Sequence, residues 1–211
     1  MHNVTVAFAA LLVMLLSYFF GCFNGSFMVS HFIIRDDVRK HGSGNAGLTN
    51  FYRTYGAKYA LLVIACDMGK TVAACLLGSF FFRCLGWDGT LGTLLAGLGC
   101  ELGHIFPVFY GFRGGKGILS GGTIVWMIDW RIGLVVWVGF LLLFLLTKYV
   151  SLGSVWAGAS FPFATWYFYP DPVIVLLAFL LGALILWKHR SNIVRLIHGN
   201  ENKFSVHRKK N

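Results

Sequence analysis

The sequence predicts an all-α polytopic membrane protein, a seven-transmembrane-helix bundle whose fourth span is short or partly re-entrant. Three observations carry that expectation. Hydrophobic residues make up 57% of the 211 and charged residues only 12%, and a water-soluble domain of this size cannot hide so much apolar surface. The apolar residues gather into runs near the roughly 20 residues that cross a bilayer as a helix. The cations between the runs alternate in density along the chain, as a topology signal should.

The first span falls within residues 4–33, which exceed one crossing, so the end near His31 is expected to tilt or lie at the interface. No basic segment precedes this run and no small-x-small exit follows it, which favours a span over a signal peptide. The second covers 59–82 and carries Asp67 and Lys70 inside it; the third covers 89–112 and carries Glu101 and His104. The fourth, 117–128, is a brief apolar piece before "DWR" at 129–131. A fifth covers 132–147, and a sixth covers 152–168, ending at "YPDP", whose two prolines punctuate a turn. The seventh runs from Val173 to Trp187, and a basic tail, 188–211, closes the chain. No polar connection is long enough for a separate soluble domain, so 1–211 reads as a single membrane-embedded domain.

With the tail on the cytoplasmic side, segments 35–58, 113–116, 148 and 188–210 hold fifteen of the eighteen Lys and Arg residues, and only Arg83 and Arg131 face outside. The N-terminus is therefore expected outside and the C-terminus inside. The five cysteines, Cys22, Cys66, Cys75, Cys84 and Cys100, have no CxxC pairing and read as free thiols. No metal site is expected from them.

Three inside-facing segments are more specific than solubilising loops. In "RDDVRKHGSGNAGLTNFYRTYGAK", 35–58, Gly42, Gly44 and Gly47 permit close backbone approach, while Ser43, Asn45, Thr49 and Asn50 offer hydrogen bonds and Arg39, Lys40 and Arg53 add charge. Together they suit a phosphate-holding nest; the alternative is an ordinary basic loop. In "FYGFRGGKGILSGG", 109–122, Arg113 and Lys116 flank Gly114 and Gly115, with Gly117 following. The phosphate-loop NTPase pattern fails, because Lys116 is followed by glycine instead of Ser or Thr. An anion site and glycine-mediated helix packing both remain open. In "KHRSNIVRLIHGNENK", 188–203, His189, Asn192 and Arg195 lie on a predicted interfacial helix whose basic character also suits membrane phospholipids.

The embedded charges add a fourth feature. Asp67 with Lys70, and Glu101 with His104, are each three apart and share a helix face. Such groups form either a structural network or a substrate-facing site. "ELGH" is not a metalloprotease signature, and two residues are too few for zinc.

The motifs "HGSGNAGLTN", "GHIFPVFYGFRGGKG" and "HRSNIVRLIHGNE" closely resemble those of bacterial membrane glycerol-3-phosphate acyltransferases that use acyl-phosphate donors. The resemblance spans about residues 15–203. It implies a seven-span enzyme of the bacterial inner or plasma membrane that makes 1-acyl-sn-glycerol 3-phosphate from sn-glycerol 3-phosphate and a long-chain acyl phosphate. It also implies a soluble phosphate acyltransferase as the source of the donor. By the same resemblance Ser43, Arg53, Lys116, His189 and Asn192 are the catalytic candidates. Arg39, Gly42, Gly44, Asn45, Gly47, Thr49, Asn50, Arg113, Gly114, Gly115, Gly117 and Arg195 are substrate-binding candidates, and Asp67, Lys70, Glu101, His104 and Glu201 support them. In two places the chain departs from the family pattern. Gly21, Cys22, Phe23 and Asn24 stand where Gly-Ser, an apolar residue and often Pro are common, and Arg113 stands where Lys is common before the double glycine.

An acyl phosphate is an activated mixed anhydride, so transfer to a hydroxyl needs no ATP, coenzyme A or other cofactor. His189 or the substrate's own phosphate would accept the proton. A transporter for a phosphorylated solute is the alternative from another class, but no paired inverted repeat is visible. Nucleic-acid binding is not expected, because topology accounts for the net charge of +10.

Overall fold

A computed structural model describes residues 2–204, and among these all regular structure is helical. Residues 205–211 of the expected basic tail lie outside the described residues. The chain divides into two compact units, one from the N-terminus to Ile128 and one from Asp129 onward.

The first unit opens with α1 (His2–Cys22), which breaks at Phe23 and Asn24 instead of continuing through the predicted first span. A short helix α2 (Gly25–Met28) and one π-helical stretch (Val29–Ile34) follow, closed by Arg35 in the left-handed region at φ 60°. Asn24 causes the restart: its Oδ1 accepts the Phe27 amide at 2.9 Å, and its Nδ2 donates to Ala46 O at 3.1 Å. An N-cap contributes about 1 kcal/mol and a buried hydrogen bond about as much again. Asn24→Ala is therefore expected to cost about 2 kcal/mol, read as a lower melting temperature in detergent; an unchanged melt would remove Asn24 from this role.

Beyond the loop come α3 (Leu48–Tyr55), α4 (Ala57–Cys84), α5 (Gly89–Ile105) and α6 (Ile118–Ile128). Helix α5 packs on α1 backbone to backbone. A Cβ added at Gly99 would overlap Met14 O, and one at Gly103 would overlap Tyr18 O, so this four-residue glycine spacing sets the helix separation. Helix α5 stops at Ile105, seven residues before the predicted end of the third span. Pro107 has no amide hydrogen and disfavours helical geometry at Phe106, which sits at φ −126° and ψ 60°.

The second unit contains α7 (Trp130–Thr147), α8 (Val150–Phe168), α9 (Pro172–Lys188) and α10 (Arg190–Ile197). Asp129 caps α7 and Asp171 caps α9 through their carboxylates. The predicted continuous helix from the seventh span into the tail is instead bent by 59° between α9 and α10.

Helices occupy all seven predicted places. Four apolar helical stretches, Val4–Ile34, Ala57–Cys84, Gly89–Tyr110 and Trp130–Thr147, are long enough to cross a membrane, and the bent α9–α10 pair makes up to five. Helix α6 has 11 residues, about 17 Å at 1.5 Å per residue, short of the roughly 30 Å hydrocarbon core. Helix α8 is long enough, but Ser151, Gly153, Ser154, Gly158, Ser160 and Thr165 dilute its apolar character. All five cysteines are free.

Candidate active site

The break between α1 and α2 exposes carbonyls and amides in an apolar setting, where unpaired backbone groups cost several kcal/mol each. Helix α4 satisfies them with the pair that its i,i+3 spacing predicted. Lys70 Nζ lies 2.7 Å from Asp67 Oδ1 and donates to Gly21 O at 3.1 Å and Phe23 O at 3.0 Å. Asp67 Oδ1 accepts the Gly25 amide at 2.9 Å. Helix α5 joins through His104, whose Nδ1 is 2.9 Å from Lys70 Nζ. Asp67, Lys70 and His104 are all buried, and the observed bonds are those of a structural network around irregular backbone.

Glu101 does not pair with His104, despite the same spacing. It is fully buried, and among the described residues neither carboxylate oxygen has a hydrogen-bond partner. Both side chains instead meet the glycine loop. A Cβ added at Gly115 would overlap His104 Nε2, and one at Gly117 would overlap Glu101 Oε1. The loop folds back over the end of α5, with the Gly114 amide donating to Ile105 O and the Gly115 amide to His104 O, both at 3.1 Å. These two amides are thus occupied by the protein. Lys116 is half-buried between Gly115 and Gly117, and Arg113 is exposed at the loop's entrance. Gly117 O accepts the Gly121 amide at 2.7 Å, so Gly117 leads into α6 and Lys116 lies two positions before its first residue.

Asn50 staples the other loop. Its Oδ1 accepts the Ser43 amide at 3.0 Å, and its Nδ2 reaches Val38 O, His41 O and Asn45 O at 3.0–3.1 Å. Gly42, at φ 56°, has no room for a Cβ beside Asn50 Oδ1, and Gly44 is also left-handed, at φ 69°. Asn45 Nδ2 reaches Gly114 O at 3.5 Å, so the structure brings the first and second motifs together. Gly47 precedes α3, on which Thr49 and Arg53 lie one turn apart; Ser43 and Arg53 are exposed.

Arg39 serves as a brace. Its guanidinium pairs with Asp37 at 2.9 Å, donates to Tyr110 O at 2.8 Å and lies over the Phe27 ring at 4.5 Å. The hydrogen bonds from Arg39 hold the Asp37 carboxyl below its ordinary range despite partial burial. The Asp37 amide and the Tyr55 hydroxyl likewise hold Asp36 down.

In the second unit, His189 is buried at the α9–α10 bend, with Nδ1 2.9 Å from Ile185 O. A carbonyl only accepts, so Nδ1 carries hydrogen and Nε2 is the basic nitrogen of the neutral ring. Asn192 donates to Glu201 Oε1 at 2.9 Å and Arg195 to Oε2 at 2.7 Å. Burial pushes the Glu201 carboxyl up, but these bonds outweigh it and hold the group below its ordinary value. The Phe204 amide, donating to Lys148 O at 2.8 Å, ties the chain after α10 back to the turn between α7 and α8.

Sequence reasoning missed Asn24 as an anchor, although a polar residue just after an apolar run and before Gly25 is a capping signal. It also missed that Asn50, one of several polar residues in its loop, holds the others in place. Nothing in the linear spacing marked it out.

A family model described as glycerol-3-phosphate acyltransferase matches residues 11–199. A glycerol-3-phosphate acyltransferase of Finegoldia magna is 42% identical over 187 residues, covering 88% of this chain and 91% of the relative. One from Thermoanaerobacter pseudethanolicus is 37% identical over 194 residues, covering 92% and 95%. The fold is similar to a crystal structure of PlsY, an integral membrane glycerol 3-phosphate acyltransferase, in its glycerol 3-phosphate form. The TM-score is 0.83 with 33% identity, covering 93% of this chain and 96% of that one. A second PlsY structure, in a lysophosphatidic acid form, gives 0.81 and 31%, again covering 93% and 96%.

Proposed function

The chain belongs to the glycerol-3-phosphate acyltransferase family, and from that premise we propose how its own residues carry out the reaction. It is a multi-pass membrane enzyme that acylates glycerol 3-phosphate in phospholipid synthesis. The observation that carries the mechanism is the placement of Lys116. This cation is held between two glycines whose shape α5 dictates, two positions before the positive end of α6. A phosphate there meets a fixed charge and a helix N-terminus together.

The donor we propose is a long-chain acyl phosphate, supplied by a separate soluble phosphate acyltransferase. The glycerol hydroxyl attacks the acyl carbon and forms the ester C–O bond. The C–O bond to phosphate then breaks, and inorganic phosphate leaves with the electron pair. Lys116 and Arg53 neutralise phosphate and the developing oxyanion. Ser43, Asn45, Thr49 and Arg113 line the approach. Gly42, Gly44, Gly47, Asn50, Gly114, Gly115, Gly117 and Arg39 act by holding the two loops in shape. The proton passes to His189 Nε2 or to substrate phosphate, and in the second unit Glu201 holds Asn192 and Arg195 in place. With purified enzyme and glycerol 3-phosphate, matched acyl phosphate is expected to react with release of inorganic phosphate. Exclusive use of acyl-coenzyme A would overturn the donor assignment.

We further propose seven crossings in a bacterial inner or plasma membrane, with the N-terminus outside and the C-terminus cytoplasmic. Helices at the seven predicted places and the fifteen-to-two division of cations support this. Reporter fusions at the N-terminus, Asp129 and the C-terminus should read outside, outside and inside. A cytoplasmic Asp129 would exclude α6 as a crossing.

A further inference from the structure

We infer that Asn24 is a positioning residue for acyl transfer, because its carboxamide ties the break between α1 and α2 to Ala46 O and so holds the 42–47 loop and the start of α3 in place for glycerol 3-phosphate. The inference rests on the assignment of that loop to phosphate handling made above.

The carboxamide has one usable orientation. Its Oδ1 faces the Phe27 amide at 2.9 Å, a donor, and its Nδ2 faces Ala46 O at 3.1 Å, an acceptor. A flipped group would set hydrogens against the amide and oxygen against the carbonyl, two mismatches around a side chain that is fully buried. One side chain therefore caps α2 and reaches 22 residues along the chain to the loop.

Both ends of this tether are seated. On the helix side, Lys70 Nζ binds Gly21 O and Phe23 O, and Asp67 accepts the Gly25 amide. A Cβ added at Gly21 would overlap Cys100 O, and one at Gly25 would come within 2.9 Å of Val63 O, so α5 and α4 leave the break no slack. On the loop side, Ala46 packs in a buried cluster with Val29, Val38, Phe51 and Val63.

The stretch that Asn24 holds lies between groups assigned to the substrate. Asn50 Nδ2 donates to Asn45 O at 3.0 Å and Asn24 Nδ2 to the next carbonyl, so two successive carbonyls are fixed by side chains from separate elements. Asn45 reaches the glycine loop at Gly114 O, and Gly47, directly after Ala46, is the N-cap of α3, which carries Arg53. Through Asn24 this turn takes its place from the helix break as well as from its own loop.

Asn24→Ser separates the tether from the cap. Serine caps a helix about as well as asparagine does, but it is too short to reach Ala46 O. Asn24→Ser is therefore expected to melt above Asn24→Ala in detergent. Its KM for glycerol 3-phosphate should rise about fivefold, the scale of one net hydrogen bond, with the KM for the acyl donor unchanged. A purely structural role would lower the apparent kcat through the folded fraction and leave both KM values where they are. Asn24→Asp keeps the cap acceptor in nearly the same shape and presents oxygen to Ala46 O, so it should raise the same KM at least as far. Hydrogen exchange of the 42–50 backbone reads the loop without turnover and should quicken in both variants. A wild-type KM for glycerol 3-phosphate in folded Asn24→Ser, or unchanged exchange of the loop, would overturn the inference. Failure of the wild type to acylate glycerol 3-phosphate would instead overturn the functional assignment, with the exchange result still judging the tether.

Discussion

Gly117→Ala is expected to destabilise the protein by about 2–5 kcal/mol, the sum of a left-handed backbone forced on a non-glycine residue and an overpacked interior. Gly117 sits at φ 82°, and its missing Cβ is the space that Glu101 Oε1 occupies. Glu101 is fully buried on α5 and has no open side to retreat into. Thermal unfolding in detergent, with acyl transfer measured below the melt, gives both parts of the effect. Because the two causes are separable, the double variant Glu101→Ala/Gly117→Ala should lose less, relative to Glu101→Ala, than Gly117→Ala loses relative to wild type. A Gly117→Ala protein that melts like wild type would show that the loop does not rest on Glu101.

Lys116→Ala should leave the fold intact and lower kcat/KM at least about tenfold, corresponding to about 1.4 kcal/mol or more of transition-state stabilisation. Lys116 is half-buried in a loop, outside the helices that hold the unit together, so its loss acts on charge more than on packing. Arg53→Ala should fall in the same range, because Arg53 supplies the exposed cation of α3. Ser43→Ala tests only the hydroxyl, since the Ser43 amide is the group that Asn50 holds. Wild-type kinetics in folded Lys116→Ala would remove Lys116 from the phosphate role.

Of the two readings open at the glycine loop, helix packing is the one the structure describes, and the anion site is the one we propose. Gly115 and Gly117 are small because α5 presses His104 and Glu101 against them, which is a packing function. The residue they enclose, Lys116, lies two positions before α6, which is the placement on which the proposed phosphate role rests. Likewise Asp67 and Lys70 were legible as a pair from their spacing, but their purpose was not. They complete the hydrogen bonds of a break at Asn24 that lies more than 40 residues earlier in the chain.

The sequence by itself determined the solvent, the order of the helical segments, the likeness to one enzyme family and the residue types gathered in its three motifs. These are properties of composition and short-range spacing, and a bilayer imposes them on any chain that must bury its backbone polar groups within helices. Only the tertiary structure decided where the helices end and which polar groups are already spent. Phe106 leaves the helix because of Pro107, Arg39 is engaged by Asp37 and Tyr110, and the Gly114 and Gly115 amides are taken by α5. A hydrogen-bond partner is chosen by distance and direction between segments far apart in the chain. The i,i+3 spacing of Glu101 and His104 placed both on one face of α5, but only the fold laid the glycine loop across that face.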